Sequence, residues 1–466
     1  MSFDQLWADL LPLGRHPETG GYRRYALTSA ERHCRDWFVE QATRRGLTVE
    51  ADRNRNLWAW RGDPDTDGPG VVTGSHLDSV PDGGAYDGPL GIVSAFAALD
   101  LLDQQDRARP RDDRSNRDEQ VRRAPLGIVA FADEEGGRFG LPCVGSRLLT
   151  GVLHPADVLA RADQEGIGYA EALRADGQNP DAFGPDPRVL ARIGSFVELH
   201  IEQGRGLTDP DGHDESGEHL AVALCDRIWP HGRWRFEFTG RADHAGTTLM
   251  ADRADPMLSF AMTALAANKR ARLTDTRATF GKVRVLPNGT NAVPSAVTGW
   301  LDARAPDEQS LDDLIASLAR QSQDRAERDR TTLWIHQESR TPATGFDPAL
   351  RRRLSEVLGS VHEVGPPPVL STAAGHDAGV LADAGVPAAM LFVRNPTGVS
   401  HSPAEYAEPA DCHAGVRALA AVLRDLTVHG PATRSGPTGS GPGSSPRSGS
   451  GDHIDDYDGD QTGEAS

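Results

Sequence analysis

A histidine and an aspartate stand two residues apart in GSHLDSV (residues 74–80), directly after a short apolar run. In an extended chain, side chains at this spacing point to the same side. The carboxylate of Asp78 can therefore accept the second imidazole N–H of His76 and fix the tautomer of a metal-bound histidine. Asp87 follows in GGAYDG (residues 83–88), where glycines let the backbone approach a ligand closely. A structural histidine and an ordinary Asp-Gly turn are the alternatives.

Adjacent carboxylates form a second motif, ADEEGG (residues 132–137), after another apolar run. Neighbouring carboxylates repel one another unless a cation is present. Because adjacent residues of an extended or turning chain point in different directions, Glu135 can bind a metal while Glu134 faces a substrate as a general base. A solvated acidic loop is the alternative.

Two further motifs end or follow predicted strands: His200 lies in ELHIEQG (residues 198–204) and His401 in SHSPAE (residues 400–405). Each motif alone is weak evidence. Three histidines and two carboxylates at the ends of separate strands of one sheet are a stronger signal. Imidazole and carboxylate donors together suit zinc or manganese.

The elements that must position these residues alternate between strands and helices. This alternation predicts an α/β fold with a mostly parallel sheet and helices on both faces. Sites in such sheets form at the carboxyl ends of the strands. The predicted strands are Val71–Thr73, Leu126–Phe131, Phe196–His200 and Ala388–Val393, and the predicted helix is Gly91–Leu102.

One region departs from the alternation and predicts an inserted ferredoxin-like βαββαβ module. Its predicted elements are Arg233–Thr239, Pro256–Ala267, Thr279–Val285, Ala296–Ala303, Leu311–Arg320 and Thr331–His336. His244 follows the first strand, and Asn291 and Arg304 flank the hairpin. The planar guanidinium of Arg304 can bind a substrate carboxylate, or it can pair with a neighbouring acid such as Asp302.

The domain organisation follows from these patterns. We predict a catalytic domain in two parts, residues 1–210 and 340–430, with a lid or dimerisation domain at 211–339 between them. Residues 103–123 are dense in Asp and Arg and predict a solvated surface insertion. Residues 431–466 contain almost nothing apolar, so they cannot offset their ordering entropy and predict a disordered tail.

The composition excludes some classes of partner. The 466 residues carry a formal net charge of -19, which argues against nucleic acids and anionic membranes. No apolar run reaches the length of a membrane span, and the first residues lack the basic segment of a signal peptide. The four cysteines are far apart and form no CxxC pair. A soluble cytoplasmic protein is therefore expected.

Taken together, the motifs closely resemble the M20 metallopeptidase family. The resemblance runs from about Leu13 to about Leu426 and is nearest to the branch of allantoate amidohydrolases, N-carbamoyl-L-amino acid hydrolases and β-ureidopropionases. The motifs that carry it are GSHLDSVPDGGAYDG, ADEEGGRFG, ELHIEQG, GRADHAGTT, NAVP followed by LDAR, AGHDA and SHSPAE. The chain departs from this branch at Leu249, at Thr372-Ala373 and in residues 225–231, and these departures bear on substrate choice.

The resemblance implies two divalent ions, Zn2+ or Mn2+, in each subunit. The implied ligands are His76 and His200 at one ion, Glu135 and His401 at the other, and Asp87 as the bridge. Glu134 would be the general base and Asp78 the partner of His76. A cis peptide bond would follow Asp87.

On the substrate side, the resemblance implies contacts from five residues: Gln203, His244, Asn291, Arg304 and His376. Arg304 would hold the substrate carboxylate, and Gln203 lies where the ureido group is expected. The resemblance also implies a homodimer joined through the inserted module. In this dimer His244 would serve the active site of the partner subunit.

The implied activity is hydrolysis of a C–N bond in a ureido (N-carbamoyl) acid. Allantoate is preferred as the substrate because of the overall likeness of the stretch WPHGRWRFEFTGRADHAGTT, and an N-carbamoyl amino acid is the alternative. A dipeptidase is disfavoured because the peptidase branches usually carry a carboxylate at the position of His200. A non-catalytic metal-binding scaffold would be expected to have lost Glu134 or a ligand, and all of them are present.

Overall fold

The computed structural model describes residues 1–108, 123–208, 220–361 and 366–432. Its helices are α1 (Phe3–Leu10), α2 (Ser29–Arg44), α3 (Pro89–Ala108), α4 (Val144–Thr150), α5 (Pro155–Leu159), α6 (Tyr169–Ala175), α7 (Pro187–Ala191), α8 (Pro256–Leu273), α9 (Glu308–Asp329), α10 (Pro348–Gly359), α11 (Asp377–Asp383) and α12 (Pro409–His429). Its strands are β1 (Thr48–Ala51), β2 (Leu57–Arg61), β3 (Gly70–His76), β4 (Leu126–Phe131), β5 (Ile193–Ile201), β6 (Val222–Ile228), β7 (His231–Thr239), β8 (Asp243–His244), β9 (Arg277–Leu286), β10 (Ala292–Val293), β11 (Ala296–Arg304), β12 (Thr332–Thr341), β13 (Thr344–Gly345), β14 (Val369–Thr372) and β15 (Ala388–Val393).

Nine of these strands form the larger sheet of the described residues. Its order is β1-β2-β4-β3-β5-β15-β6-β13, with β14 paired to β6. The central strands β4, β3, β5 and β15 are parallel neighbours, and every residue in them is buried. Fully buried, continuously apolar strands are typical of a parallel sheet covered on both faces. The prediction of an α/β fold on a mostly parallel sheet is confirmed, with antiparallel pairs added toward both edges.

Helix α3 is the central helix of the larger core. Residues 89–99 of this helix are all buried, so it is apolar around its whole circumference at this end. Gly91 permits the close packing, since a Cβ there would lie 2.4 Å from the carbonyl oxygen of Leu199 in β5. The helix begins two residues after Asp87, and its packing therefore fixes where that loop ends.

The inserted module (residues 231–341) has its own antiparallel sheet and core. Its main elements follow the order β7-α8-β9-β11-α9-β12, and the strands lie in the order β12-β7-β11-β9. This is the fourth-first-third-second arrangement of a ferredoxin-like βαββαβ unit. Alternate residues of β7, including Trp234, Phe236 and Phe238, are buried in a core shared with α8 and α9. Charged residues occupy the opposite face.

Parts of the predicted organisation lie outside the described residues. These are most of the surface insertion (109–122 of 103–123), the boundary at 210/211 and nearly all of the tail (433–466). Helix α3 continues to Ala108, so the insertion begins later than its composition indicated. Among the described helices, none combines the length and apolar character that a membrane crossing requires.

Candidate metal centre

Parallel pairing brings the sequence motifs to one edge of the larger sheet. His76 is the last residue of β3 and pairs with Phe131, the last residue of β4, so residues 132–137 begin beside it. His200 pairs with Phe392 of β15. The SHSPAE segment follows β15. Because neighbouring parallel strands end at the same edge, four segments that are distant in sequence meet there.

The two carboxylate oxygens of Asp87 face two different groups of side chains. Oδ1 lies 3.6 Å from His76 Nε2 and 3.2 Å from His200 Nε2. Oδ2 lies 3.3 Å from His401 Nε2, which is 3.5 Å from Glu135 Oε2. Within each group the potential ligand atoms lie within 4.8 Å of one another. The structure thus brings together the five residues expected to bind metal, with Asp87 between the two groups.

The charges and unpaired atoms of these groups fit divalent cations. Among the described residues, Glu135 Oε1 is buried and has no hydrogen-bond partner. Burial raises the pKa of Glu135 to about 7, and the nearby Asp87 carboxylate adds to the effect. Burial would also raise the pKa of Asp87, but the nearby imidazoles of His200, His401 and His76 hold it well below its usual range. A set of imidazole and carboxylate donors that is buried apart from His401 suits zinc or manganese.

Glu134 lies beside the first group of ligands. Its Oε2 is 3.8 Å from His76 Nε2, and its Oε1 accepts a hydrogen bond from the Cys143 thiol at 3.3 Å. Burial raises the pKa of Glu134 well above its usual value, although the nearby His76 opposes the shift. The preceding residue, Asp133, has φ 53 and turns the chain after β4. A carboxylate with raised proton affinity next to potential metal ligands is suited to accept a proton.

Asp78 contacts His76 in a different way from the one predicted. His76 Nδ1 lies 3.2 Å from the backbone carbonyl oxygen of Asp78, whereas the carboxylate Oδ1 is 3.6 Å away. The carboxylate instead accepts the backbone N–H groups of Glu134 and Glu135 at 3.1 and 3.0 Å. The turn after β4 thus supplies two donors that occupy the carboxylate, and the histidine takes the carbonyl.

The peptide bond after Asp87 is not cis, which corrects the expectation from the resemblance. Within the described residues the cis bond is Leu286–Pro287. The chain turns after Asp87 through Gly88, which has φ 84, and a Cβ there would lie 2.4 Å from His76 Cε1. Glycine adopts this conformation freely, whereas a non-proline cis bond costs about 3 kcal/mol.

Gln203 and Ser400 contact the bridging candidate directly. Gln203 Nε2 donates to Asp87 Oδ2 at 2.8 Å and to Ser400 Oγ at 3.1 Å. Gln203 Oε1 is buried without a hydrogen-bond partner in the described part of the chain. A buried, unpaired amide oxygen is an acceptor available to N–H groups of a ligand. Ser400 was not predicted as a site residue, although it lies in the SHSPAE motif.

His376 lies behind a potential ligand and is only 4% exposed. Its ring packs edge-on against His200, with centroids 4.5 Å apart. These two histidines and Glu198 form a third group with ligand atoms within 4.8 Å of one another. Both oxygens of Glu198 already accept hydrogen bonds, from Ser75 Oγ and from the Ala378 N–H. Burial lowers the pKa of His376 well below its usual value. Its Nε2 is buried without a hydrogen-bond partner in the described part of the chain, and its contact with a substrate stays a prediction.

The hydrogen bonds of His244 and Asn291 are within the inserted module. His244 is exposed, and its Nδ1 accepts the N–H groups of Gly246 and Thr247 at 3.0 and 3.1 Å. Asn291 is also exposed, and its backbone carbonyl oxygen accepts a hydrogen bond from the backbone N–H of Ala245 at 2.9 Å. These contacts hold together two segments of the module, the one at β8 and the one before β10, and they do not join either segment to the ligand groups.

Arg304 makes the ion pair that was the alternative to substrate binding. Its Nε donates to Asp302 Oδ1 at 2.8 Å, and its Nη1 donates to the carbonyl oxygen of Ala373 at 2.5 Å. Ala373 lies in the loop that precedes His376. Arg304 therefore joins the inserted module to the larger sheet region, and its side chain remains 29% exposed.

Most of the chain is similar in sequence to known hydrolases of C–N bonds. A model of peptidase family M20/M25/M40 matches residues 72–425. The chain is 32% identical to N-carbamoyl-L-amino acid amidohydrolase of Geobacillus stearothermophilus, over 89% of this chain and 96% of that protein. It is 31% identical to allantoate amidohydrolase of Escherichia coli (strain K12), over 87% of this chain and 93% of that protein. The solved structure of a hydantoinase/carbamoylase family amidase from Burkholderia multivorans aligns with a TM-score of 0.74 and 28% identity, over 92% of this chain and 98% of that one.

Proposed function

Because this chain belongs to peptidase family M20/M25/M40, we propose that it is a metal-dependent amidohydrolase that cleaves a C–N bond of a ureido acid. The observation that carries the proposal is the meeting of four donor side chains around Asp87, with Glu134 beside them. Relatives similar over most of their length are amidohydrolases of N-carbamoyl amino acids and of allantoate. The proposed activity therefore agrees with both the chemistry of the site and the family.

We propose that the centre holds two divalent ions, zinc or manganese. His76 and His200 would bind one ion, Glu135 and His401 the other, and Asp87 both. Two ions so held would lower the pKa of a shared water and polarise the substrate carbonyl. The arrangement of Asp87, with one oxygen toward each group, supports the bridge.

In the proposed reaction, Glu134 takes a proton from the attacking water and returns it to the leaving nitrogen. The ureido group, R–NH–CO–NH2, gains water and separates into an amine and carbamate, which breaks down to ammonia and carbon dioxide. His244 donates a hydrogen bond to the carbonyl oxygen as negative charge develops on it. The unpaired Oε1 of Gln203 accepts an N–H of the ureido group.

Arg304 is proposed to hold the substrate carboxylate and thereby to set its distance from the scissile bond. In the structure its guanidinium is partly engaged by Asp302, so the substrate carboxylate would bind the exposed remainder or replace one contact. We place allantoate first among substrates, with ureidoglycine as the product. The second candidate substrate is an N-carbamoyl amino acid, which the 32% sequence identity to the Geobacillus N-carbamoyl-L-amino acid amidohydrolase supports.

We further propose a homodimer joined through the inserted module. Leu258, Met262 and Leu265 lie on one face of α8 and are 44%, 46% and 65% exposed. Strand β9 is an edge strand next to this helix, and an open edge can pair with another copy. An exposed apolar helix face beside an open edge supports association through this side of the module.

A cytoplasmic location is also proposed. All four cysteines are buried and unpaired, and Cys143 contacts the general base as a thiol. Free thiols persist most readily in a reducing compartment. The reduced state is thus part of the active form that we propose.

Substrate profiling tests the proposed function. Metal-free protein should be loaded separately with Mn2+ and Zn2+ and offered allantoate, N-carbamoyl-L-amino acids and dipeptides, while ammonia or amine release is followed. We expect turnover of ureido acids, fastest with allantoate and about 10²- to 10⁴-fold slower in Glu134→Gln. Faster turnover of N-carbamoyl amino acids would reverse the order of the two substrates, and cleavage of dipeptides alone would refute the proposal.

A further inference from the structure

We propose that Glu405 is a positioning residue of the metal centre, which holds the backbone of Asp87 and ties it to the loop that carries His401. The proposal rests on the metal centre of the proposed function but not on its substrate. Glu405 is the last residue of the SHSPAE motif. It belongs to neither proposed ligand pair.

The carboxylate of Glu405 binds the loop that contains Asp87. Its Oε1 accepts the backbone N–H groups of Tyr86 and Asp87 at 2.9 and 3.0 Å. The residue is 5% exposed, so these hydrogen bonds lie away from competing water. The backbone on which the bridging carboxylate depends is therefore held by a residue more than 300 positions later in the chain.

One short segment contacts Asp87 from both sides. Glu405 holds its N–H, while Ser400 Oγ and His401 Nε2 lie 3.4 and 3.3 Å from its Oδ2. A turn in which the Glu405 N–H donates to the carbonyl of Ser402 brings the ends of the segment together. The position of His401 relative to Asp87 is therefore set by this segment, and Glu405 is its anchor.

Gly84 provides the space that Glu405 occupies. A Cβ on Gly84 would lie 2.3 Å from Glu405 Oε1 and 2.5 Å from its Cδ. Its backbone is not in the left-handed region, since no positive φ is found there. Glycine is needed at this position for room, and a methyl group would push the carboxylate away from the two N–H groups.

The second ligand group depends most on this anchor. The side chain of His401 is 51% exposed, whereas those of His76 and His200 are 1% and 0% exposed. Packing holds the two buried histidines in place, but it holds His401 much less. Losing Glu405 should therefore weaken the ion held by Glu135 and His401 more than the other ion.

Metal titration of the metal-free protein tests the proposal without any turnover. Calorimetric titration with Mn2+ should show two ions in the wild type. In Glu405→Ala we expect the site formed by Glu135 and His401 to lose about 10- to 100-fold in affinity for Mn2+. This is the usual effect of removing a partner that orients a metal ligand. Glu405→Gln should restore most of it, because an amide oxygen accepts the same two N–H groups. Gly84→Ala should weaken the same site with Glu405 intact.

The control is Glu356→Ala, which removes an exposed glutamate from α10 and should leave both affinities unchanged. Unchanged affinities in both Glu405→Ala and Gly84→Ala would overturn the proposal. So would a lower melting temperature of the metal-free variants with no change in affinity, because that is a purely structural effect. Mn2+ binding in the wild type without hydrolysis of ureido acids would count against the proposed function alone.

Discussion

The carboxylate of Asp78 accepts the backbone N–H of Glu134, with Oδ1 3.1 Å from the nitrogen. Its second oxygen accepts the N–H of Glu135 in the same way, at 3.0 Å. The two glutamates are thereby fixed at the turn after β4, where one faces His76 and the other faces His401. Their different proposed roles, general base and metal ligand, follow from these two directions.

Glu134→Gln should lower kcat about 10²- to 10⁴-fold, the range that general acid–base catalysis contributes. An amide cannot accept the proton of the attacking water. Metal content should remain near that of the wild type, because Glu134 is not among the proposed ligands. Activity with allantoate and metal content by mass spectrometry measure the two effects.

His76→Ala is the matched comparison. Its imidazole belongs to the buried group with Asp87 and His200, so its removal should reduce metal content and activity together. If both variants lose metal to the same extent, the roles assigned to Glu134 and Glu135 are reversed.

Metal binding should become stronger as the pH rises from about 5 to about 8. Burial raises the pKa of Glu135 to about 7, and contact with Asp87 raises the pKa of His401 to about 9. In the folded, metal-free protein both pKa values exceed the ordinary ones. The two groups therefore stabilise the fold fully at low pH, and this stabilisation is lost as the pH rises through the two folded-state pKa values. Bound ions replace these protons. As the pH rises, the stability of the metal-free protein should therefore fall, while the stability of the metal-loaded protein should increase.

Melting temperatures with Mn2+ and with EDTA at pH 5.5, 6.5 and 8 measure this effect. The difference between the two forms should widen with pH, and using the difference cancels titrations elsewhere. His401→Ala should show a smaller widening, since one of the two groups is gone. A constant or shrinking difference would show that protons do not compete with the ions at these residues.

Arg304→Ala should lower kcat/KM for substrates that carry a free carboxylate, because the carboxylate loses a charged partner. The expected loss of transition-state stabilisation is about 2 to 4 kcal/mol. Esterified or amidated analogues should distinguish little between wild type and variant. Arg233→Ala is the control, because Arg233 also faces Asp302, at 3.6 Å, and is 56% exposed. An equal loss for both classes of substrate would make Arg304 a structural link between Asp302 and Ala373 only.

Uninterrupted apolar runs made the central strands predictable. Leu126–Phe131 and Ala388–Val393 have the predicted bounds, because each is a short buried run between turn-forming residues. The helix predicted over Gly91–Leu102 extends to Ala108, since its last turns are polar and carry no apolar signal. Local pattern therefore locates an element better than its ends.

The contacts of the site were only partly visible in the sequence. The two-residue spacing correctly predicted that Asp78 lies near His76. It gave no indication that the backbone N–H groups of Glu134 and Glu135 would bind the Asp78 carboxylate. Cys143 and Glu198 reach the site through tertiary packing, and no spacing rule connects them with their partners. Glu405 did have a signal, the end of the SHSPAE motif, but its role depends on a contact with Asp87 across the fold.

The proposed dimer predicts that apolar contacts on α8 hold two copies together. Met262→Glu combined with Leu265→Glu should convert the dimer to a monomer in sedimentation experiments, since a charged residue cannot be buried unpaired in such an interface. Val39→Glu places the same charge on an exposed apolar residue of α2, outside the inserted module, and serves as the control. A dimer that survives the first exchange would place the interface elsewhere.

His244 should act in the active site of the partner subunit, and complementation between two inactive variants tests this. In a mixed dimer of Glu134→Gln and His244→Ala, the subunit that keeps Glu134 receives an intact His244 from its neighbour. Equal mixing should restore about a quarter of wild-type activity, because half of the dimers are mixed and each has one complete site.

Mixing Glu134→Gln with His76→Ala is the control and should restore nothing, unless Glu134 and His76 serve different sites. The contacts of His244 with Gly246 and Thr247 hold its ring on an exposed loop, where a second subunit can reach it. Absence of recovery after verified subunit exchange would mean that His244 works within its own chain or takes no part in catalysis.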